Sequence, residues 1–205
     1  MAHAPSTNHG RTARKDELRA FKRQGILDAA RAVFDDKGFV GANMRAIASR
    51  AGYAPGTLYL HYRGKEEIYA DLLADSLSRL HRTVRDCAAA GKQSRTLRAP
   101  FDHYTAHPAD LGLGAALLHG KDALPAEIER QINGRLIATL SLIADTIHAL
   151  TGASAADANR EAINLAAHQI GVLLLQRSGR LGMLGFAADD LIERYIGRLT
   201  GDQAA

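Results

Sequence analysis

Residues 51 to 67, AGYAPGTLYLHYRGKEE, concentrate side chains suited to reading a surface of hydrogen-bond donors and acceptors. Thr57, Tyr59 and His61 offer groups that both donate and accept, while Leu60 between them offers only apolar contact. Nothing in the chain organises such groups for bond-making: there is no nucleophile elbow, phosphate loop or HExxH pair. Catalysis is not expected, no cofactor is implied, and a helical enzyme using a His/Asp pair stays a remote alternative. Among the histidines, His103 and His107 stand at i and i+4, the spacing of a helical metal pair. A metal needs a third ligand, which no Cys/His cluster supplies. At about 100° per residue the apolar side of their helix runs through Phe101 and Tyr104, so His103 should fall off it. His107 precedes Pro108, which disfavours helical geometry. No metal site is expected, and Phe101 and Tyr104 are the better candidates to line a ligand pocket.

The elements that must position these residues are helical. Hydrophobic residues make up 46% of the 205, but Ala and Leu dominate, Phe is sparse and Trp absent, so an all-α fold is expected. Cys87 is the single cysteine, which excludes a disulfide framework and suits a reducing compartment. The N-terminus lacks the apolar core of a signal peptide, and no run approaches the ~20 apolar residues of a membrane span. A cytoplasmic protein with no membrane partner is expected. Charge is uneven: residues 1–65 hold 12 Lys/Arg against 5 Asp/Glu, a net +7, whereas the remainder nets −3. The basic third is where a polyanion would bind.

Residues 1–17 are polar and basic without periodicity and read as a flexible basic arm. A first helix carries Leu18, Phe21, Ile26, Ala29, Ala30, Val33 and Phe34 as its apolar stripe and closes at Gly38. Asn43 offers an N-cap to a short helix, MRAIASRA, which Gly52 ends. Pro55 suits the first position of a third short helix reaching about Tyr62, and Lys65 opens a long amphipathic one to about Ala90. Further helices are expected near 100–106, opened by Pro100, and near 109–119, 125–150, 155–178 and 187–200, about nine in all. The Gly120–Pro125 and Gly179–Gly185 stretches read as separators.

Two short helices joined by a glycine turn, the second unusually polar, form a helix-turn-helix pattern. An α-helix fits the major groove of DNA and reads base edges mainly from its N-terminal residues, which places Thr57, Tyr59, Leu60 and His61. Asn43 and Arg45, at the entrance to the second helix, are candidates to hold phosphates. Residues Ile26 to Tyr69 resemble the N-terminal domain of the tetracycline-repressor (TetR) family of bacterial transcription regulators. The matching residues are Ile26, Leu27, Ala29, Ala30, Phe34, Gly38-Phe39, Ile47-Ala48, Ala51-Gly52 and Gly56-Thr57-Leu58-Tyr59, followed by His61, Tyr62, Lys65 and Glu66. The resemblance implies that Thr57, Tyr59 and His61 touch bases or phosphates and that Lys65 pins the DNA backbone. Three departures bear on specificity: Ala54 lacks a capping side chain, Tyr53 replaces a small aliphatic residue, and Leu60 replaces a polar or aromatic one. Tyr53 thereby joins the DNA-facing candidates, and Leu60 can favour only the thymine methyl.

These assignments divide the chain into the arm (1–17), a three-helix DNA-binding domain (18–65) and an effector-binding and dimerisation domain (66–205). The last part is apolar and mildly acidic, suited to enclosing a small molecule between helices. The resemblance implies a homodimer through the last two long helices and an effector that repositions the DNA-reading heads. Ile163, Ala167, Ile170 and Leu174 form one apolar side of the 155–178 helix; Leu165, Val172 and Leu175 form another, near which His168 belongs. Leu191 and Tyr195 continue the dimerisation stripe. His168 is either a structural hydrogen bonder or an effector contact, and His148 projects away from Ile132, Ile143 and Ile147. The function expected is that of a repressor binding a palindromic double-stranded DNA operator and released by a small-molecule effector, with a ligand-independent regulator or an activator as the alternative.

Overall fold

The computed structural model describes residues 8–111 and 126–201. Among these, all regular structure is helical: α1 (Asn8–Gly41), α2 (Met44–Ala51), α3 (Pro55–Tyr59), α4 (Lys65–Ala89), α5 (Gln93–Ala106), α6 (Ala126–Thr151), α7 (Ala155–Arg177), α8 (Arg180–Met183) and α9 (Ala188–Thr200). Residues 108–111 are also helical, and most of the helix expected at 109–119 lies outside the described residues. The chain divides into two compact units, Met1–Leu72 and Leu73–Ala205. The division falls inside α4, seven residues beyond the expected boundary, because the first two turns of α4 belong to the first core.

In the first unit, Ile26, Ala30, Ile47, Ala48, Leu58 and Ile68 are fully buried. Tyr69 closes this core by meeting Phe34 edge-on at 5.4 Å and Phe39 at 4.9 Å. Helix α1 kinks at Gly38 (φ 66°, ψ 170°), a left-handed conformation that costs other residues a clash with Cβ. Asn43 caps α2, its side chain accepting from Ala46 N at 2.9 Å. Gly52 (φ 73°) ends α2, and the next amide, Tyr53 N, donates back to Ala48 O. Two expectations about the N-terminus need correction. Residues 8–17 of the expected arm are the first turns of α1, and its residues 1–7 lie outside the described residues. Leu18 and Phe21 are exposed, at 54% and 75%, because the core begins only at Ile26.

In the second unit, α5 packs on α6, α7 and α9. It starts at Gln93, so Pro100 lies inside it instead of opening it. Burial of Thr96, Leu97, Ala99 and Phe101 along one face outweighs the proline penalty. Between α6 and α7 the chain axis turns by 118°, and Ser154 caps α7 by accepting from Asp157 N. Arg98 of α5 pairs with Asp102 at 2.9 Å and with Asp189 and Glu193 of α9. Gln169 Nε2 donates to Leu97 O at 2.7 Å, tying α7 to α5 inside the core. The stretch read as a glycine separator holds α8, whose Leu181 is buried. No single described helix is long and apolar enough to cross a membrane.

Candidate nucleic-acid interface

Helix α3 is five residues long, and its anchoring determines what it presents. Leu58 is completely buried, whereas its neighbours Tyr59 and Leu60 are 56% and 84% exposed. Beyond α3, the amides of His61 and Tyr62 both donate to Leu58 O at 2.9 Å, which continues the turn without a further helical residue. Thr57 and His61 are half-buried at its edges. Ala54 gives α3 no side-chain cap, and Pro55 stands at its first position, where a missing N–H costs nothing. The face is therefore one hydroxyl, one phenol, one imidazole and an apolar tip in consecutive turns, held outward by one buried leucine.

Around it, the residues expected to touch the DNA backbone fare differently. Arg45 is exposed on the first turn of α2. Asn43 is exposed too, but its oxygen is spent on the α2 cap. Tyr53 is half-buried in the turn between α2 and α3. Lys65, for which the resemblance implied a phosphate contact, is bonded within its own domain. Its Nζ donates to the carbonyls of Phe39 (2.8 Å), Val40 (3.3 Å) and Ala42 (3.0 Å), and lies 4.7 Å from the centre of the Phe39 ring. An ammonium has three donors, so all are engaged at the end of α1 and none is left for a phosphate. One of the paired acids behind it serves the fold as well: Glu67 Oε2 accepts from Arg63 N at 2.6 Å, steadying the entry to α4.

Sequence reasoning did not foresee a linked trio below this face. Asp71 Oδ2 accepts from Tyr62 Oη at 2.9 Å and from Arg23 Nη2 at 2.7 Å. Burial, and then the adjacent carboxylate, pushes the Tyr62 phenol well above its ordinary range. The trio fixes α1 to the segment just after α3. Tyr62 and Arg23 stand 9 and 48 residues from Asp71, and a lone Arg in a basic stretch carries no signal of such a partner.

Residues 26–72 match the family model for bacterial regulatory proteins of the tetR family. The chain carries a TetR-family N-terminal domain. The transcriptional repressor KstR2 of Rhodococcus jostii is 35% identical over 79 residues, 38% of this chain and 39% of that protein. The transcriptional regulator UidR of Escherichia coli is 46% identical over 54 residues, 26% of this chain and 28% of that protein. The matched stretch thus spans less than half the length of either relative. At the level of fold alone, the likeness extends further. The transcriptional regulator FadR from Bacillus subtilis, solved in complex with stearoyl-CoA, superposes with a TM-score of 0.66 at 16% identity, over 88% of this chain and 99% of that one.

Beyond the TetR-family domain, the second unit carries the remaining candidates. Phe101 is buried, with the Arg98 guanidinium 5.1 Å from its ring centre. Tyr104 is half-buried and meets His103 edge-on at 5.3 Å. Burial, with Asp110 nearby, pushes the Tyr104 phenol up to about 12. His103 itself is buried, contrary to its expected position off the apolar side. Because α5 starts at Gln93, His103 continues the buried row of Thr96, Ala99 and Pro100 at helical spacing, a row that a helix begun at Pro100 would not contain. His103 Nε2 lies 3.4 Å from Asp110 Oδ2, which also pairs with Arg79 Nη2 at 2.8 Å. The His107 ring stacks on His103 at 4.9 Å, and among the described residues no group of three metal-ligating side chains converges. His168 joins neither Phe101 nor Tyr104 through a hydrogen bond or ring contact. It stacks on Tyr195 at 4.5 Å and lies 3.4 Å from Leu191 O, while Tyr195 Oη donates to Glu161 at 2.7 Å. Leu191 and Tyr195 are thus half-buried against α7 of their own chain. Ile163, Ala167, Ile170 and Leu174 line an exposed stripe along α7, while Leu165 and Val172 on another side are buried. His148 is exposed, with Ile132, Ile143 and Ile147 buried.

Proposed function

We propose that this protein is a ligand-responsive transcription regulator, a repressor that binds a palindromic operator as a homodimer and is released by a small-molecule effector. The observation that carries the reading is the outward face of α3, where Tyr59 and Leu60 project from the TetR-family domain over a fully buried Leu58. Leu60, 84% exposed at the tip of this five-residue helix, offers an apolar contact that the thymine methyls on the floor of a major groove can meet. Thr57, Tyr59 and His61 add donors and acceptors beside it, with Arg45 and Tyr53 at its border. The name of KstR2 favours repression. The exposed stripe Ile163, Ala167, Ile170 and Leu174 supports a two-fold dimer, whose symmetry implies two half-sites. Phe101 and Tyr104 are the proposed effector contacts, whereas the stacking of His168 on Tyr195 favours a structural role for it. The stearoyl-CoA held by the FadR structure makes acyl-CoA thioesters the first effectors to test. A mobility-shift titration on the duplex upstream of the gene should show saturable binding that acyl-CoA weakens. Absence of any binding at moderate salt contradicts the whole reading; binding indifferent to every ligand tried contradicts effector control.

A further inference from the structure

The N-terminal part of α1, residues 8–25, is a helix that the protein's own core does not use. Its described side chains are exposed from Ala13 through Gly25 except a half-buried Lys22, and the first buried residue is Ile26. The stretch continues a helix already nucleated against the core, so it extends without core contacts and leaves its surface open to another partner. The stretch holds six Lys/Arg against two Asp/Glu. Arg14, Leu18, Phe21 and Lys22 follow one another at i, i+4, i+7 and i+8, so cations flank an apolar pair on one face. The root of the extension is held by Arg23, which shares Asp71 with Tyr62, two residues beyond the exposed Leu60.

We propose that residues 8–25 form a second DNA-contacting surface, a basic helix that lies along the phosphate backbone beside the groove α3 reads. The inference rests on the DNA-binding reading above and adds to it a surface outside the helix-turn-helix. Charge complementarity selects the occupant. Two copies of a net +4 helix repel each other, whereas a duplex presents a row of phosphates to Arg14 and Lys22 and sugar edges against which Leu18 and Phe21 can bury area. Gly25 marks the junction. A Cβ there meets nothing within 4 Å, so glycine is not required by packing, and its poor helix propensity lets the extension fray when no DNA is present.

The test uses the full-length chain and mixed-sequence duplex DNA, since phosphate binding is indifferent to sequence. Arg14→Gln with Lys22→Gln should lower the slope of log affinity against log salt by about 0.9 for each phosphate no longer neutralised, about two for each bound subunit and about four for a dimer. The fall in affinity between roughly 50 and 200 mM salt should shrink by about tenfold for each bound subunit. Arg85→Gln with Arg160→Gln, which removes the same charge from exposed sites in the second unit, should leave the slope unchanged. Gly25→Ala should tighten binding by up to about fivefold by pre-forming the helix. If wild-type protein binds the duplex and the Arg14/Lys22 variant keeps its slope, the extension does not touch DNA and the α3 reading survives. If wild-type protein binds no duplex, both fall. Loss of self-association, or of binding to anionic phosphatidylserine vesicles, with the DNA slope intact would assign the extension to a second copy or to a membrane surface and overturn the proposal.

Discussion

At the residue scale, Leu60 and Lys65 show what a motif does and does not convey. Leu60 is as exposed as a reading residue must be, and it has no donor or acceptor, so the thymine methyl is the base feature it can favour. Replacing thymine by uracil removes one methyl, whose burial is worth about 0.8 kcal/mol, and keeps the hydrogen-bonding edges. Wild-type protein should lose a few-fold in affinity at one symmetric pair of half-site positions, and Leu60→Ala should erase that difference. A uracil scan with no Leu60-dependent position contradicts it. Lys65 stands where the resemblance implied a phosphate contact, yet its three bonds to Phe39, Val40 and Ala42 make it a clasp for the end of α1. Lys65→Ala should therefore lower thermal stability, by about 1–3 kcal/mol for hydrogen bonds from a charged donor, and weaken DNA binding without changing the salt slope. A slope reduced by about one would restore the phosphate role. Which way a lysine turns depends on carbonyls 23 to 26 residues away, information a local pattern does not hold.

At the element scale, the signals that act locally were legible. Gly38, Asn43, Gly52 and Pro55 each mark a kink, a cap or a first turn where the structure places one, because caps and left-handed glycines act within a turn of themselves. Asn43→Ala should cost about 1 kcal/mol, measured by thermal denaturation, since the Ala46 amide loses its acceptor. The start of α5 was not legible, because Pro100 carries a strong local stop and only burial of Thr96 and Leu97 overrides it. The longer helix places His103 on the buried row of Thr96, Ala99 and Pro100. The same burial predicts a pH dependence. The unfolded Tyr104 phenol titrates near its ordinary value of about 10, whereas the folded one is pushed up to about 12. The unfolded state sheds its proton first, so the stability Tyr104 contributes is fully present below pH about 10 and is lost as pH rises toward 12. Tyr104→Phe should flatten that alkaline decline in a denaturation series, and an identical decline in both proteins would show Tyr104 titrating normally.

At the scale of the whole molecule, the all-α class and the helix-turn-helix unit were legible from Ala- and Leu-rich periodicity and a dense local motif. The use of the second unit was less so, because the same apolar spacing on α7 describes a side facing a core and a side facing a partner. Leu165 and Val172 are buried and Ile163, Ile170 and Leu174 exposed, but Leu175, expected beside Leu165 and Val172, is exposed as well. Ile170→Glu should convert a dimer into a monomer in sedimentation and weaken operator binding at least about tenfold, because two half-sites no longer act together. Whether α3 reads DNA is decided by fluorescence anisotropy on the labelled upstream duplex in excess mixed-sequence competitor, comparing wild type with Tyr59→Ala/Leu60→Ala. Both side chains are exposed, so the variant should keep its helical circular dichroism. Wild-type protein should hold the upstream duplex against competitor while the variant retains only salt-dependent, sequence-blind binding. A folded variant that prefers the upstream duplex as strongly as wild type contradicts it.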